Sequence, residues 1–368
     1  MRYYIICGEV SGDLHGASLM HALKKLDSNA EFRFWGGDKM EAEGGTNVNH
    51  IQKRAFMGFT EVIKNLFTIK RFIKEAQDDI ASYKPDRLVF IDYPGFNLRI
   101  ANWAHKNGFI THYYISPKVW AWNTKRALKI KETISHLYAI LPFEVDFYKR
   151  FNYPVHYVGN PLMDAITTFT PNPNFRAKHG LNSKPIIALL PGSRTQELKW
   201  ILPEMLTSID PFLNDYQVVL AVAPGFKPND YLNFEHINRV KLIEDGTYDI
   251  LSESTAALVT SGTATLETAL LNVPQVVCYK TGKLNYLIGK QVIKVPFISL
   301  VNLIAGKEIV KELIQNQLNS AQIQGELKNI LDGNGRLEML ENYKNLQELV
   351  GPPGASQRTA QLIIENQK

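Results

Sequence analysis

Tyr3-Tyr4-Ile5-Ile6-Cys7 followed by Gly8-Glu9-Val10-Ser11-Gly12-Asp13 opens the chain: an apolar, strand-forming run halts at small residues, and a helical pattern starts near Leu14. A strand that turns through glycines straight into a helix is the first half of a parallel β-α-β unit. Runs of the same kind recur at Phe32 to Trp35, Arg87 to Ile91, Ile110 to Ile115 and His156 to Val158, with amphipathic stretches between them. The alternation predicts an α/β protein whose parallel sheet is covered by helices on both faces.

Periodicity lapses after Gly159-Asn160-Pro161, in a stretch that includes Pro171-Asn172-Pro173-Asn174, and restarts near Pro185. Ile186 to Leu190, Gln217 to Val222, Val240 to Ile243, Ala257 to Thr260 and Gln275 to Tyr279 then form a second set of strand candidates. The reading is two α/β domains, residues 1–165 and 166–348. From about Lys307 the pattern is mostly helical, and 349–368 reads as a terminal helix of its own beyond Gly351-Pro352-Pro353-Gly354. A length of 368 residues suits two domains of roughly 100 to 200 residues each. Two such halves in tandem predict a cleft between them, and ligands of open parallel sheets sit beyond the carboxyl ends of the strands. The loops directly after strands are therefore the informative ones.

Composition narrows the classes. Hydrophobic residues at 45% and charged residues at 21% describe an ordered globular chain. The net charge of +5 is a mild bias toward anionic partners such as nucleotides, sugar phosphates or an acidic lipid surface. Dispersed basic residues without an arginine-rich arm or zinc-finger spacing argue against nucleic acid. Cys7 and Cys278 lie in apolar runs with no C-x-x-C pairing, and read as core residues in a reducing compartment. No signal-peptide core or bilayer-length apolar stretch is visible, so the expectation is a cytoplasmic protein that touches a membrane only peripherally.

Four loops could carry chemistry. Glu9, Ser11, Gly12 and Asp13 lie where a strand feeds a helix N-terminus, able to meet a ligand or simply to cap the helix. Asp92, just past the strand ending at Ile91, could take a proton from a sugar hydroxyl, or serve the turn before Pro94. Gly192, Ser193 and Arg194 offer backbone N–H groups and a guanidinium to a diphosphate. Ser261, Gly262 and Thr263 form a second phosphate-sized turn, with Glu267 one helical turn on, placed for ribose hydroxyls or for the helix dipole. Ser116 to Trp122 brings Trp120 and Trp122 together, and packing is the first use of such a pair. There is no D-x-D pair, no cofactor fingerprint and no metal-site spacing, so phosphate charge falls to the protein. The stretch from Phe56 to Lys74, with Phe56, Met57, Phe59, Phe67 and Phe72 among lysines, fits either a packed helix or one lying on a membrane surface.

Cys7 to Asp13, Met57 to Val62, Ile91-Asp92-Tyr93-Pro94, Ser116-Pro117-Lys118-Val119-Trp120-Ala121-Trp122, Leu141-Pro142-Phe143-Glu144, Leu190 to Arg194, Ser261 to Glu267 and Ser299 to Leu303 occur in an order that resembles the bacterial lipid-A-disaccharide synthases. The resemblance implies a GT-B glycosyltransferase: two Rossmann-like domains with parallel sheets facing a cleft, plus C-terminal helices, and the donor bound mainly by the second domain. It implies an inverting reaction, without cofactor, of UDP-2,3-diacylglucosamine with 2,3-diacylglucosamine 1-phosphate at the inner-leaflet surface; a homodimer is compatible with it. Carried across, Asp92 resembles the acceptor base and Arg194 the diphosphate arginine. Glu267 and Asn302 would lie around uridine and ribose, and the Glu9 to Asp13 loop would face the reacting sugars. The family often reads I-D-x-P-D-F, where this chain has Gly95 in place of the second aspartate, which leaves Asp92 as the acid of that loop.

Overall fold

The computed structural model describes residues 1–54 and 66–366 and divides into two compact units, Met1–Asp164 with Pro352–Lys368, and Ala165–Gly351. Among the described residues the first unit holds β1 (Arg2–Ile6), β2 (Glu31–Trp35), β3 (Thr46–Asn47), β4 (Arg87–Ile91), β5 (Thr111–Tyr114), β6 (His136–Ala139) and β7 (His156–Tyr157). They form one parallel sheet in the order β3-β2-β1-β4-β5-β6-β7. The second unit holds β8 (Ile186–Leu190), β9 (Gln217–Ala221), β10 (Lys241–Ile243), β11 (Ser254–Thr260), β12 (Gln275–Tyr279) and β13 (Lys311–Ile314), parallel in the order β10-β9-β8-β11-β12-β13.

The central strands are buried on both faces, which is why they read as unbroken apolar runs: Tyr3 to Ile6 and Ile186 to Leu189 are fully enclosed. In each unit the strand order reverses once, between β1 and β4 and between β8 and β11. Such a reversal opens a crevice at the carboxyl ends, because the helices following the two neighbouring strands lie on opposite faces. The loops after β1, β4, β8 and β11 are the four singled out above.

Three strands depart from the sequence reading. β3 and β6 are short and carry polar residues, and β13 lies in a segment expected to be helical. Lys311-Glu312 masks β13 because Glu312 is buried as an acceptor: its carboxylate takes the N–H groups of Ile298 (2.9 Å) and Ser299 (3.0 Å), and the Ser299 hydroxyl (2.7 Å). The terminal helix is built into the first unit. Helix Ala355–Glu365 packs on helix Val10–Leu26, with Ala360 and Ile363 in the same core as Tyr3, Ile5 and Leu19. Polar pins hold it there: Arg358 donates to the carbonyls of Val158 (2.7 Å), Pro353 (2.8 Å) and Pro352 (2.9 Å), and Arg87 to that of Ile363 (2.9 Å). Asp164 accepts from the Gly354 N–H.

Candidate active site

At the reversal of the first sheet, β4 ends in two consecutive non-glycine residues with left-handed backbone, Asp92 (φ 44°) and Tyr93 (φ 50°). That conformation costs on the order of 1 kcal/mol per residue, and surrounding contacts must hold it. Here the Asp92 carbonyl accepts from the Tyr113 hydroxyl (2.5 Å) and the Asn97 amide (2.8 Å), both anchored in the core, and the Asp92 N–H donates to Tyr114 of β5 (3.1 Å). The Tyr93 ring then lies against Gly8, so close that a Cβ there would sit 2.1 Å from the ring. The loops after β1 and β4 are thus locked together. The half-buried Asp92 carboxyl is held above the usual carboxylate range: burial is the main cause, Lys118 after β5 opposes it, and Glu9 after β1 adds to it. A carboxylate made more basic by partial desolvation at a strand end is suited to accept a proton.

The reversal of the second sheet is built differently. Gly192 (φ 100°) begins a turn closed by Glu197, whose carboxylate accepts from the N–H groups of Ser193 (2.9 Å) and Arg194 (3.1 Å). A Cβ at Gly192 would meet that carboxylate at 2.4 Å, so glycine is required on two counts. The two amides expected to serve a diphosphate are therefore engaged by Glu197, and the available donor is the Arg194 guanidinium, 81% exposed. After β11, the Ser261 hydroxyl donates to the Ile298 carbonyl (2.8 Å), Gly262 faces open space, and helix Thr263–Leu270 begins with the Thr263 and Ala264 N–H groups unpaired among the described residues. Glu267, half-buried, accepts from the Tyr248 hydroxyl (2.8 Å); burial raises its carboxyl and this bond opposes the rise.

Residues 3–362 match the family described as lipid-A-disaccharide synthetase. The chain belongs to that family. The lipid-A-disaccharide synthase of Syntrophus aciditrophicus is 37% identical over 368 residues, covering 98% of this chain and 96% of the relative. That of Geobacter sulfurreducens is 34% identical, covering 99% and 97%. Membership makes the chain a glycosyltransferase of lipid A disaccharide synthesis. Two solved structures resemble its fold: UDP-GlcNAc 2-epimerase from Neisseria meningitidis (TM-score 0.68, 14% identity, 100% of each chain) and a kitacinnamycin glycosyltransferase (TM-score 0.64, 10% identity, 100% and 98%). The architecture is the two-domain GT-B type.

Within this lipid-A-disaccharide synthetase framework, several motif residues have structural work. Asn302 is fully buried and its side chain is saturated by protein: the amide donates to the Val310 carbonyl and Glu312, both at 2.9 Å, and the oxygen accepts from Ile309 (2.8 Å) and Val310 (3.0 Å). It latches a loop. Asp13 likewise points into the first unit, accepting from the N–H groups of Gly37 (2.7 Å), Lys39 (3.0 Å) and Met40 (3.1 Å), while Gly12 allows close packing on Cys7. Glu9 and Ser11 of the same loop stay exposed. The distinctive Trp120 is a core residue whose ring N–H donates to buried Glu144 (3.0 Å); burial pushes that carboxyl up to about 7 against the pull of its N–H donors.

Phe56, Met57 and Phe59 lie outside the described residues. Helix Leu66–Tyr83 is docked through Ala76, Ile80 and the Arg33–Asp79 ion pair (2.6 Å). Phe72 packs edge-on against Trp35, whereas Phe67 is 87% exposed. Among the described residues no helix is long and apolar enough to cross a membrane. Side-chain oxygens and nitrogens of Asp38, Glu41 and His50 do gather within 4.8 Å, a grouping the sequence spacing had not suggested. Asp38 pairs with His50 and Glu41 accepts from Asn47, which accounts for these contacts.

Proposed function

We propose that the chain transfers diacylglucosamine from its UDP derivative to the 6-hydroxyl of 2,3-diacylglucosamine 1-phosphate in one inverting displacement, giving a β-1,6-linked disaccharide 1-phosphate and UDP. Asp92 takes the hydroxyl proton as the oxygen attacks the anomeric carbon; the C–O bond to UDP breaks and the electron pair leaves with the diphosphate. Arg194 and the N-terminus of helix Thr263–Leu270 stabilise that departing charge without a metal. Glu267 accepts from ribose hydroxyls through its remaining oxygen, and Glu9 and Ser11 contact the sugars. Phe67 and the lysines around it meet the inner-leaflet surface from which acylated substrates are drawn.

The observation that carries this reading is the half-buried Asp92, more basic than an ordinary carboxylate, at the reversal of a sheet in a family of lipid A disaccharide synthesis. The test mixes the protein with both acylated sugars in detergent and EDTA and follows UDP and disaccharide by mass spectrometry. Equal amounts of both, formed only when the acceptor is present, are expected. UDP released from the donor alone would sink the displacement and point to hydrolysis or epimerisation.

A further inference from the structure

Between Glu267 and Glu308 the sequence contains no acidic residue, yet it carries Lys280, Lys283, Lys290, Lys294 and Lys307. The middle of this stretch is helix Lys283–Val292, running into Ile293 and Lys294. Leu287 is 58% exposed, Ile293 44% and Val292 40%. Single exposed apolar residues are ordinary on any surface, but these fall within one short segment and each is bracketed by lysine. Leu287 has Lys283 one turn before it and Lys290 one turn after it on the same helix face, and Val292-Ile293 lies between Lys290 and Lys294. Lys280 pairs with Glu204 (2.5 Å), whereas Lys283, Lys290 and Lys294 are exposed without an acidic partner among the described residues.

The segment is also fixed in place. It starts where β12 ends, at the carboxyl end of the sheet that carries the diphosphate loops. At its beginning, Thr281 exchanges hydrogen bonds with the Gln315 side chain (2.8 and 3.1 Å). At its end, the Ile298 N–H donates to Glu312 (2.9 Å) and the Ile298 carbonyl accepts from Ser261 of the donor loop (2.8 Å).

We propose that this segment is a second membrane-contact surface, located in the donor-binding unit, that seats Leu287, Val292 and Ile293 at the headgroup boundary of an anionic bilayer while Lys283, Lys290 and Lys294 meet lipid phosphates. Lysine stems can lie along apolar surface with their ammonium groups at the phosphates, the pattern of an interfacial anchor. A second copy of the chain is the poorer occupant, because a self-complementary pairing would set lysines against lysines. The inference rests on the proposed membrane-borne donor and adds that this unit, too, reaches the surface. The Ser261 link would then tie lipid contact to the donor loop.

Flotation of the full chain with vesicles tests it, using phosphatidylcholine alone or with about one-third phosphatidylglycerol. Leu287→Ser with Ile293→Ser is expected to lower partitioning onto the anionic vesicles about tenfold. Lys290→Gln with Lys294→Gln is expected to do the same about tenfold on anionic vesicles and to change nothing on neutral ones. Melting temperature and calorimetric UDP binding should stay at wild-type values, so that misfolding is excluded. If both double variants float like wild type while Phe67→Ser does not, the second surface is refuted and the first contact stands; if wild type itself fails to float, both are lost. A smaller vesicle-free mass for Leu287→Ser with Ile293→Ser would overturn the proposal in favour of an interface between copies. A raised donor KM in detergent with unchanged flotation would overturn it in favour of an acyl-chain groove.

Discussion

The loops after β1 and β4 and the loops after β8 and β11 occupy equivalent places in two sheets of the same core strand order, yet they are built in opposite ways. In the first unit the crevice is tight: Tyr93 covers Gly8, two residues are held left-handed, and Asp92 is half desolvated. In the second it is open, with Arg194 exposed, Gly262 facing space and the first helix amides unpaired among the described residues. A base gains from losing water, which raises its proton affinity, whereas a site for a large leaving group that gains a further negative charge as it departs needs accessible donors. Topology supplies the location; the side chains around it decide which kind of charge is favoured there.

The largest effect expected is at the tight end. Asp92→Asn should lower kcat by about 10²- to 10⁴-fold with UDP affinity retained, measured by turnover and by calorimetry. Near-normal turnover would remove the base from the comparison. At the open end, Arg194→Ala should lower kcat by about 10²-fold and weaken UDP binding as well, because in the proposed reaction its guanidinium meets both bound and departing diphosphate. Alanine at the two glycines then contrasts packing with openness. Gly8→Ala drives a Cβ into the base of the Tyr93 ring and should cost roughly 1–3 kcal/mol in urea unfolding together with much of the activity, while Gly262→Ala meets nothing within 4 Å and should be tolerated.

Two pH measurements give smaller effects. The Glu144 carboxyl is raised in the folded chain, so its contribution to stability is fullest below about 4.5 and is lost as pH rises toward about 7. Glu144→Gln should flatten that decline in a melting-temperature series. Lys118 opposes the rise in the Asp92 carboxyl, so Lys118→Ala should move the acid limb of kcat/KM to higher pH, and Glu9→Gln should move it lower. Identical profiles would separate those two charges from the base.

Much of the fold was readable because fully buried parallel strands are continuous apolar runs, and the proposed site residues follow directly where those runs end. Arg87 to Ile91 and Ile186 to Leu190 are such strands, and Asp92 and Arg194 lie in the loops that follow them. Less legible were features that depend on partners distant in sequence. Lys118 reaches the field of Asp92 only because β5 lies beside β4, and the need for glycine at position 8 comes from a ring 85 positions along the chain. Asp13 and Asn302 look like ligand residues in a motif, but a polar side chain in a loop can as readily satisfy buried backbone groups, and both do. β13 was hidden because a lysine and a buried acid interrupt its apolar pattern.

The return of residues 352–366 to the first unit has a consequence for biogenesis. Ala360 and Ile363 close a core begun at Tyr3, so the first unit cannot be completed on the ribosome until those two residues have emerged. The contiguous stretch from Ala165 to Gly351 has everything it needs sooner. Synthesis order and maturation order are therefore reversed, and a released chain truncated at Gly351 should resist protease in its later half while its earlier half is still cut.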